Sequence, residues 1–166
     1  MVYNEIIIPN YLLERKLSNH AFAIAVALYN YNVTVEQTNC HSMFSVIYSP
    51  KHLARLCRLS TDATRKHFGE LNDTGIIAKI SKTKRGYTQY HLKRFEHITK
   101  NYMTLSKELY DAIEPELLQA YLMVRYYNNH NVNINALDIK PIGLRKLITR
   151  GFIAPRGESY IIIKGE

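Results

Sequence analysis

The sequence predicts an α+β protein, mainly helical with small β-hairpins, built as two tandem units of which the second is compressed. Three observations predict this fold class. Two helical patterns of high apolar content lie far apart in the chain, a glycine-ended helix follows each of them, and short β-prone segments follow each glycine. The 166 residues, 46% of them hydrophobic, suffice for one compact domain or for two small ones.

The first unit begins with two helices separated by a short strand. Ser18 can cap a helix that runs to Asn32 and is apolar on nearly every side, so we expect this helix to be central and buried. The alternating segment 44–48 predicts a strand. A short helix from Pro50 to Cys57 follows, because serine at position 49 suits the cap and proline suits the first helical position.

A third helix follows after a short turn. Ser60 can cap it, and Gly75 ends it. Its apolar positions recur at spacings of four and three, which places them on one stripe of a helix: Thr64, Phe68 and Leu71.

A basic hairpin completes the first unit, which we place at residues 1–94. Residues 76–81 and 87–92 predict two strands, and the polar loop 82–86 joins them with Gly86 where a hairpin needs a positive φ. Two helices across a short turn, then a basic hairpin, are the element order of a winged helix-turn-helix.

A second unit is predicted at residues 102–166, after a linker at 95–101. A helix at 113–130 resembles the first helix in its apolar density. The segment 144–154 then matches 68–78 at an offset of 76 residues: each has an apolar residue, a leucine three later, a glycine four after that and a β-prone apolar pair.

The second unit is shorter than the first. Tyr29 and Gly75 are 46 residues apart, whereas Tyr126 and Gly151 are only 25 apart. The second unit has therefore lost the first strand or much of the helical pair. Its hairpin, which contains the Arg-Gly pair at 156–157, also has a shorter loop.

The positive charge of the chain is concentrated in the first unit. The formal net charge is +8, and the stretch from Lys51 to Arg94 holds eleven cations and three anions, so it carries the whole excess. A block of this kind indicates a polyanionic partner, most often nucleic acid.

The stretch SPKHLARLCRLSTDATRKHFGELNDTGIIAKISKTKRGYTQYHL, residues 49–92, resembles a winged-helix DNA-binding domain, and the resemblance covers about residues 18–94. The repeated second unit and the pair Ile8-Pro9 make the whole chain similar to tandem winged-helix replication initiators of plasmids and phages. Transcription regulators share the same domain. The resemblance implies sequence-specific binding of double-stranded DNA, in replication initiation or in transcriptional control of a mobile element.

The third helix carries the residues expected to read DNA bases. In a helix-turn-helix the second helix of the pair lies in the major groove, and here its side away from the apolar stripe presents Thr61, Arg65 and Lys66. The guanidinium of Arg65 can donate two hydrogen bonds to guanine O6 and N7, whereas Lys66 and Thr61 can read a base or hold phosphate. This interpretation requires Arg65 and the hairpin loop to emerge on one side, with Arg65 not taken up by an internal carboxylate. The alternative is a solvated helix face.

The hairpin loop carries the residues expected to hold the DNA backbone. Lys82, Lys84 and Arg85 repel one another unless an anion neutralises them, as DNA phosphate would. Such a loop positions the helix without reading sequence directly. Lys51 and Arg55 on the second helix are further phosphate candidates. The alternative for the loop is a solubilising turn.

The second unit is expected to do something else. At the offset of 76 residues, Arg65 and Lys66 are replaced by Pro141 and Ile142. We therefore expect residues 102–166 to form a homodimer or to pack internally. Weak phosphate contact by its remaining cations is the rival interpretation: Arg145, Lys146, Arg150 and Arg156.

No enzyme, cofactor or metal site is predicted. Tyr126 and Tyr127 could be nicking nucleophiles, but the His-apolar-His metal motif of such enzymes is missing from the sequence. His91 and Arg94 imitate a recombinase motif, yet they fall on a predicted strand or its exit. No glycine-rich phosphate loop is present either.

The cysteines are interpreted as two free thiols of a reducing compartment. Cys40 and Cys57, with His41 and His52, are potential zinc ligands whose spacing does not match a paired zinc-binding motif. The longest apolar run, residues 21–29, is far shorter than the ~20 residues that span a bilayer, and no secretory signal is visible. We therefore expect a cytoplasmic protein without a membrane partner.

Two alternative functions stay open. A winged helix can bind protein instead of DNA, in which case the chain would be an interaction module such as a phage-encoded inhibitor or adaptor. RNA binding is a lesser option, because stacked surface aromatics are not recognisable, although Tyr87 and Tyr90 lie near the loop.

Overall fold

The chain is an α+β protein in the computed structural model, with six α-helices and small antiparallel hairpins among the described residues, and the predicted fold class is confirmed at this level. The structure describes residues 5–30, 43–47, 49–86, 88–93, 101–129 and 139–164. The chain divides into two compact units. The N-terminal unit is Ile7–Tyr102, and the C-terminal unit is Met103–Glu166 together with Met1–Ile6.

Two elements that the sequence pattern does not predict precede the first long helix. They are strand β1 (Glu5–Pro9) and a 3-10 turn at Asn10–Leu12. Helix α1 (Asn19–Asn30) follows, and its residues 21–28 are all buried, as expected for a central helix. The hydroxyl of Ser18 accepts a hydrogen bond from the N–H of Ala21 (3.3 Å), which confirms the predicted cap. The predicted end of this helix lies outside the described residues.

The next three elements match their predictions closely. Strand β2 (Met43–Ile47) precedes helix α2 (Pro50–Cys57) and helix α3 (Thr61–Asp73). Ser49 caps α2 by accepting from the N–H at position 52, and Ser60 caps α3 by accepting from the N–H at position 63. Residue 48, the predicted last residue of the strand, lies outside the described part.

Helix α2 ends in a backbone conformation that its sequence does not predict. Arg58 has φ 56° and ψ 38°, in the left-handed region where glycine is usual. The N–H of Leu59 donates to the carbonyl of Ala54 (2.9 Å), so the turn closes as a Schellman motif. This turn directs the chain from α2 into α3.

The three helices pack against one another, and a three-stranded sheet completes the N-terminal unit. Strand β3 (Ile77–Lys82) starts one residue later than predicted, and β4 is Thr88–Lys93, while residue 87, its predicted first residue, lies outside the described part. The strand order is β2-β4-β3, antiparallel throughout. Gly86 has φ +82°, which confirms the positive φ expected in the hairpin loop. The ring of Phe68 on α3 lies edge-on to Tyr90 on β4, 4.7 Å between centroids.

The C-terminal unit contains more elements before its long helix than the sequence pattern predicts. Strand β5 (Tyr102–Ser106), which pairs with β1, and helix α4 (Lys107–Ala112) are both additional. The helix predicted from residue 113 is α5 (Pro115–Asn129), because Ile113 is the extended residue that ends α4. Residue 130, its predicted end, lies outside the described part.

A helix and a hairpin end the chain, as predicted. They are α6 (Pro141–Thr149), β6 (Ile153–Arg156) and β7 (Ser159–Ile162), with β6 and β7 antiparallel. Residues 130–138 lie outside the described residues; they are part of the interval from Tyr126 to Gly151, whose shortness predicts the loss of the first strand or of much of the helical pair.

The ends of α3 and α6 repeat the same hydrogen bonds at the predicted offset of 76 residues. After α3, the N–H groups of residues 74 and 75 donate to the carbonyls of 70 and 72 (3.0 and 3.1 Å). After α6, those of residues 150 and 151 donate to 146 and 148 (both 2.9 Å). Gly75 and Gly151 have φ +73° and +72°, and Leu71 and Leu147 are fully buried. The predicted correspondence of these two helix ends is confirmed.

Candidate nucleic-acid interface

Helix α3 has one buried face and one open face. Thr64, Phe68 and Leu71 are buried, which confirms the predicted apolar stripe. The predicted site residue Thr61 is half-buried. The exposed positions of the helix are Asp62, Arg65, Lys66, Gly69, Asn72 and Asp73.

Arg65 contacts an acidic neighbour on its own helix. Its Nη1 lies 3.3 Å from Oδ1 of Asp62, and the two side chains are 63% and 94% exposed. An exposed pair at this spacing contributes only ~0.2 to 0.5 kcal/mol, because water and salt screen it. The carboxylate is not internal, so the guanidinium can exchange it for a nucleic-acid acceptor at small cost.

The two predicted phosphate ligands on α2 are both available. Lys51 and Arg55 are exposed, and a spacing of four residues places them on the same side of the helix. Leu53, Ala54 and Cys57 form the buried side. The sequence therefore folds α2 with its cations in solvent and its apolar residues against the core.

The cations of the hairpin are exposed as well. Lys82 is the last residue of β3, and Lys84 and Arg85 lie in the loop itself. The N–H of Gly86 donates to the carbonyl of Thr83 (2.9 Å), which closes the loop as a tight turn. All eight predicted site residues thus belong to the N-terminal unit, in three groups on α2, α3 and the hairpin.

Two features of this surface are missed by reasoning from residue type alone. Lys79 is exposed on β3 and adds to the charge of the hairpin. Arg58 is exposed at the turn between α2 and α3. The cluster of cations at positions 79–85 is a sequence signal for Lys79, whereas no sequence signal predicts the left-handed conformation of Arg58.

His91 is a sheet residue. It is buried on β4, and its Nε2 lies 2.8 Å from Oγ of Ser81 on β3. Burial, with a smaller contribution from the positive charge of Lys79, lowers the pKa of His91. The neutral imidazole therefore serves the packing of the hairpin. Residue 94, its partner in the recombinase-like pattern, lies outside the described part.

Ser18, His67 and Glu70 meet between α1 and α3 without forming a catalytic triad. The hydroxyl of Ser18 lies 3.1 Å from His67 Nδ1 and donates to Glu70 Oε2 (2.7 Å). Glu70 Oε2 approaches that same ring nitrogen (3.6 Å). In a triad the hydroxyl and the carboxylate bind opposite ring nitrogens. This cluster therefore connects α1 to α3 through hydrogen bonds.

Cys57 is a core thiol. It is buried, its Sγ lies 4.0 Å from the carbonyl oxygen of Ala23, and burial raises the pKa of the thiol to about 12. Cys40 and His41, the other potential zinc ligands, lie outside the described residues. Within the described ranges, no three His, Cys, Asp or Glu side chains are grouped to hold a metal ion.

No helix in the described part of the chain is both long enough and apolar enough to cross a bilayer.

The corresponding surface of the C-terminal unit has a different chemistry. Ile142 in the first turn of α6 is 64% exposed, and Ile161 and Ile163 near the end of the chain are also exposed. Arg145 and Lys146 are exposed on α6, while Arg150 Nη2 lies 2.7 Å from Glu114 Oε1. Apolar and basic side chains are thus mixed on this unit.

Comparisons of the chain with protein-family models, curated proteins and solved structures find no match.

Proposed function

We propose that the N-terminal unit is a winged helix-turn-helix that binds double-stranded DNA in a sequence-specific way. The observation that carries the proposal is the combination of three packed helices, a sheet ordered β2-β4-β3, and exposed cations on both α3 and the hairpin loop. Helices α2 and α3 and the hairpin supply the parts that a reading helix and a wing require.

Each group of cations has its own role in the proposed complex. Helix α3 lies in the major groove, where Arg65 donates to guanine and Lys66 and Thr61 contact bases or phosphate. Lys51 and Arg55 on α2 neutralise phosphates. The hairpin residues Lys82, Lys84 and Arg85 hold the backbone and so set the position of α3.

We propose that the biological role is replication initiation or transcriptional control in a mobile element, carried out in the cytoplasm. This role rests on the repeated helix-glycine-hairpin arrangement, in which the helix ends at Gly75 and Gly151 bond alike. The proposed activity is binding and includes no catalytic step.

We propose that residues 102–166 mediate a homodimer. The exposed isoleucines of the C-terminal unit favour it, because large apolar side chains in solvent gain free energy when a partner covers them: Ile142, Ile161 and Ile163. A dimer would present two copies of α3 to a DNA site with two-fold symmetry.

A salt-titrated shift assay tests the proposed function. The full chain is offered duplex DNA, single-stranded DNA and RNA of equal length. If about five cations meet phosphate, log affinity for the duplex falls against log salt with a slope of about −4 to −5. Lys84→Ala should weaken binding, whereas Lys16→Ala, an exposed cation outside the three groups, should not.

Two results would contradict the proposal. Equal affinity for RNA and duplex DNA at every salt concentration would contradict specific recognition of double-stranded DNA. Binding to a protein partner that is insensitive to Arg65→Ala and Lys84→Ala, together with no salt-dependent DNA binding, would instead identify a protein-interaction module.

A further inference from the structure

Gly69 is a glycine that the helix containing it does not need. It lies inside α3 on the exposed face, and a Cβ built at this position would meet no atom of the described part of the chain within 4 Å. Glycine is the least favourable residue in a helix interior after proline, because it loses the most backbone entropy. Alanine would fit here and would favour the helix.

Neither a positive φ nor close packing among the described residues requires a glycine at this position. Its φ is not in the positive range, unlike that of Gly75 at the end of the same helix. No other atom of the described residues lies close to it, unlike at Gly143 on α6, where an added Cβ would lie 3.5 Å from Ala120 Cβ. At the offset of 76 residues, α6 carries an exposed arginine, Arg145, and its end bonds like α3.

The neighbours of Gly69 on the open face of α3 have polar side chains. Arg65 lies one turn before it and Asn72 lies almost one turn after it, and both are exposed. The missing side chain leaves a gap between them at the middle of the face. A flat surface can approach the backbone of α3 there, while the flanking side chains reach past it.

We propose that Gly69 is the position where bound duplex DNA lies closest to the backbone of α3. This inference rests on the proposed function, since it assumes that α3 enters the major groove. A side chain at position 69 would meet the wall of the groove and hold the helix away from the bases. Arg65 would then no longer reach guanine, although its own side chain is intact. Gly69 is therefore a positioning residue for base reading.

The test uses the full chain with Gly69→Ala and Gly69→Leu, and a duplex selected from a random pool by the unaltered protein. Ala112→Leu, which adds bulk at an exposed position of α4, is the control. We expect Gly69→Ala to raise the midpoint of thermal unfolding and Gly69→Leu not to lower it. Gly69→Leu should weaken binding about tenfold, as the removal of one bidentate base interaction would. The control should bind normally.

The outcomes separate this inference from the proposed function. If Gly69→Leu binds the selected duplex as tightly as the unaltered chain while Arg65→Ala binds it poorly, the inference is wrong and DNA recognition by α3 stands. If neither Gly69→Leu nor Arg65→Ala weakens binding, the inference and the proposed DNA recognition by α3 are both wrong. Should the leucine variant unfold at a lower temperature, Gly69→Ala decides: unchanged affinity and unchanged preference over random duplex would overturn the inference.

Discussion

The carboxylate of Glu70 on α3 accepts two hydrogen bonds from Ser18, the residue that caps the N-terminus of α1. The backbone N–H of Ser18 donates to Oε1 (2.5 Å), and its hydroxyl donates to Oε2 (2.7 Å). A negative charge at this point also suits the N-terminus of α1, where unpaired N–H groups create a positive potential. The contact joins the first helix of the unit to the proposed reading helix.

Removing this carboxylate should destabilise the fold. We expect Glu70→Ala to lower the free energy of unfolding by about 1 to 3 kcal/mol, since it deprives Ser18 of a charged acceptor. Glu70→Gln should cost less, because an amide oxygen can still accept one of the two bonds. Urea unfolding followed by circular dichroism measures both variants. Equal stability of the alanine variant and the unaltered chain would contradict the prediction.

The contact between Ser18 and Glu70 also predicts that the stability of the fold depends on pH. Burial acts to raise the pKa of Glu70, but the hydrogen bonds from Ser18 and the contact with His67 outweigh it, so the pKa is lowered. The stabilisation is therefore present above the ordinary glutamate pKa of about 4.3, and it is lost as the pH falls through the lower pKa of the folded state. The stability difference between the unaltered chain and Glu70→Gln should narrow below about pH 4.3. A difference that stays constant down to about pH 3 would show that the charge of Glu70 contributes nothing.

Neutralising Asp62 should strengthen binding to DNA. Asp62→Asn releases Arg65 from its ion pair and removes a negative charge that would face the duplex in the proposed complex. We expect affinity for random duplex to rise about threefold, the effect of one exposed charge interaction. Glu108→Gln is the matched control, because Glu108 lies at the same position in the first turn of α4. Weaker binding by Asp62→Asn would show instead that Asp62 orients Arg65.

The hairpin loop should contribute to affinity without contributing to sequence preference. Replacing Lys82, Lys84 and Arg85 by alanine should reduce the slope of log affinity against log salt by about three, one for each phosphate that is no longer neutralised. The affinity ratio between selected and random duplex should not change, because phosphate contacts read no bases. A triple variant that keeps the full slope would place the loop away from DNA.

The left-handed backbone at Arg58 predicts a stabilising substitution. A residue with a Cβ costs ~1 to 2 kcal/mol in this conformation, whereas glycine adopts it freely. Arg58→Gly should therefore be about 1 kcal/mol more stable than Arg58→Ala, which removes the same side chain but keeps the strain. Thermal unfolding of the two variants makes the comparison directly. Equal midpoints would mean that the turn relaxes when the arginine is replaced.

Much of the fold is readable from local patterns in the sequence. The caps at Ser49 and Ser60, the buried stripe of α3 and the hairpin turn at Gly86 each depend on a few neighbouring residues, so residue type and spacing are enough. Strands β1 and β5 are different. Each is short and pairs with a segment almost a hundred residues away, and no local pattern identifies a partner at that distance.

The candidate site also has features that the local sequence predicts and features that depend on how the helices pack. Exposure of the cations follows from the helical stripe, because a residue opposite Thr64 and Phe68 must face solvent. The pairing of Arg65 with Asp62 follows from their spacing of three. The contact between Ser18 and Glu70 could not be predicted, since it depends on how α1 and α3 cross. The left-handed turn at Arg58 could not be predicted either, because the packing of two helices overrides the preference of arginine.

The strand order β2-β4-β3 has a consequence for how the N-terminal unit is made. Its central strand is the last of the three to be synthesised. Hairpin β3–β4 can close within microseconds of leaving the ribosome, but β2 must then join across the whole helical pair, which is the slower step. A nascent chain that stops before β4 lacks the central strand of the sheet. The sheet therefore cannot form, and the three helices have no sheet to pack against until β4 is synthesised.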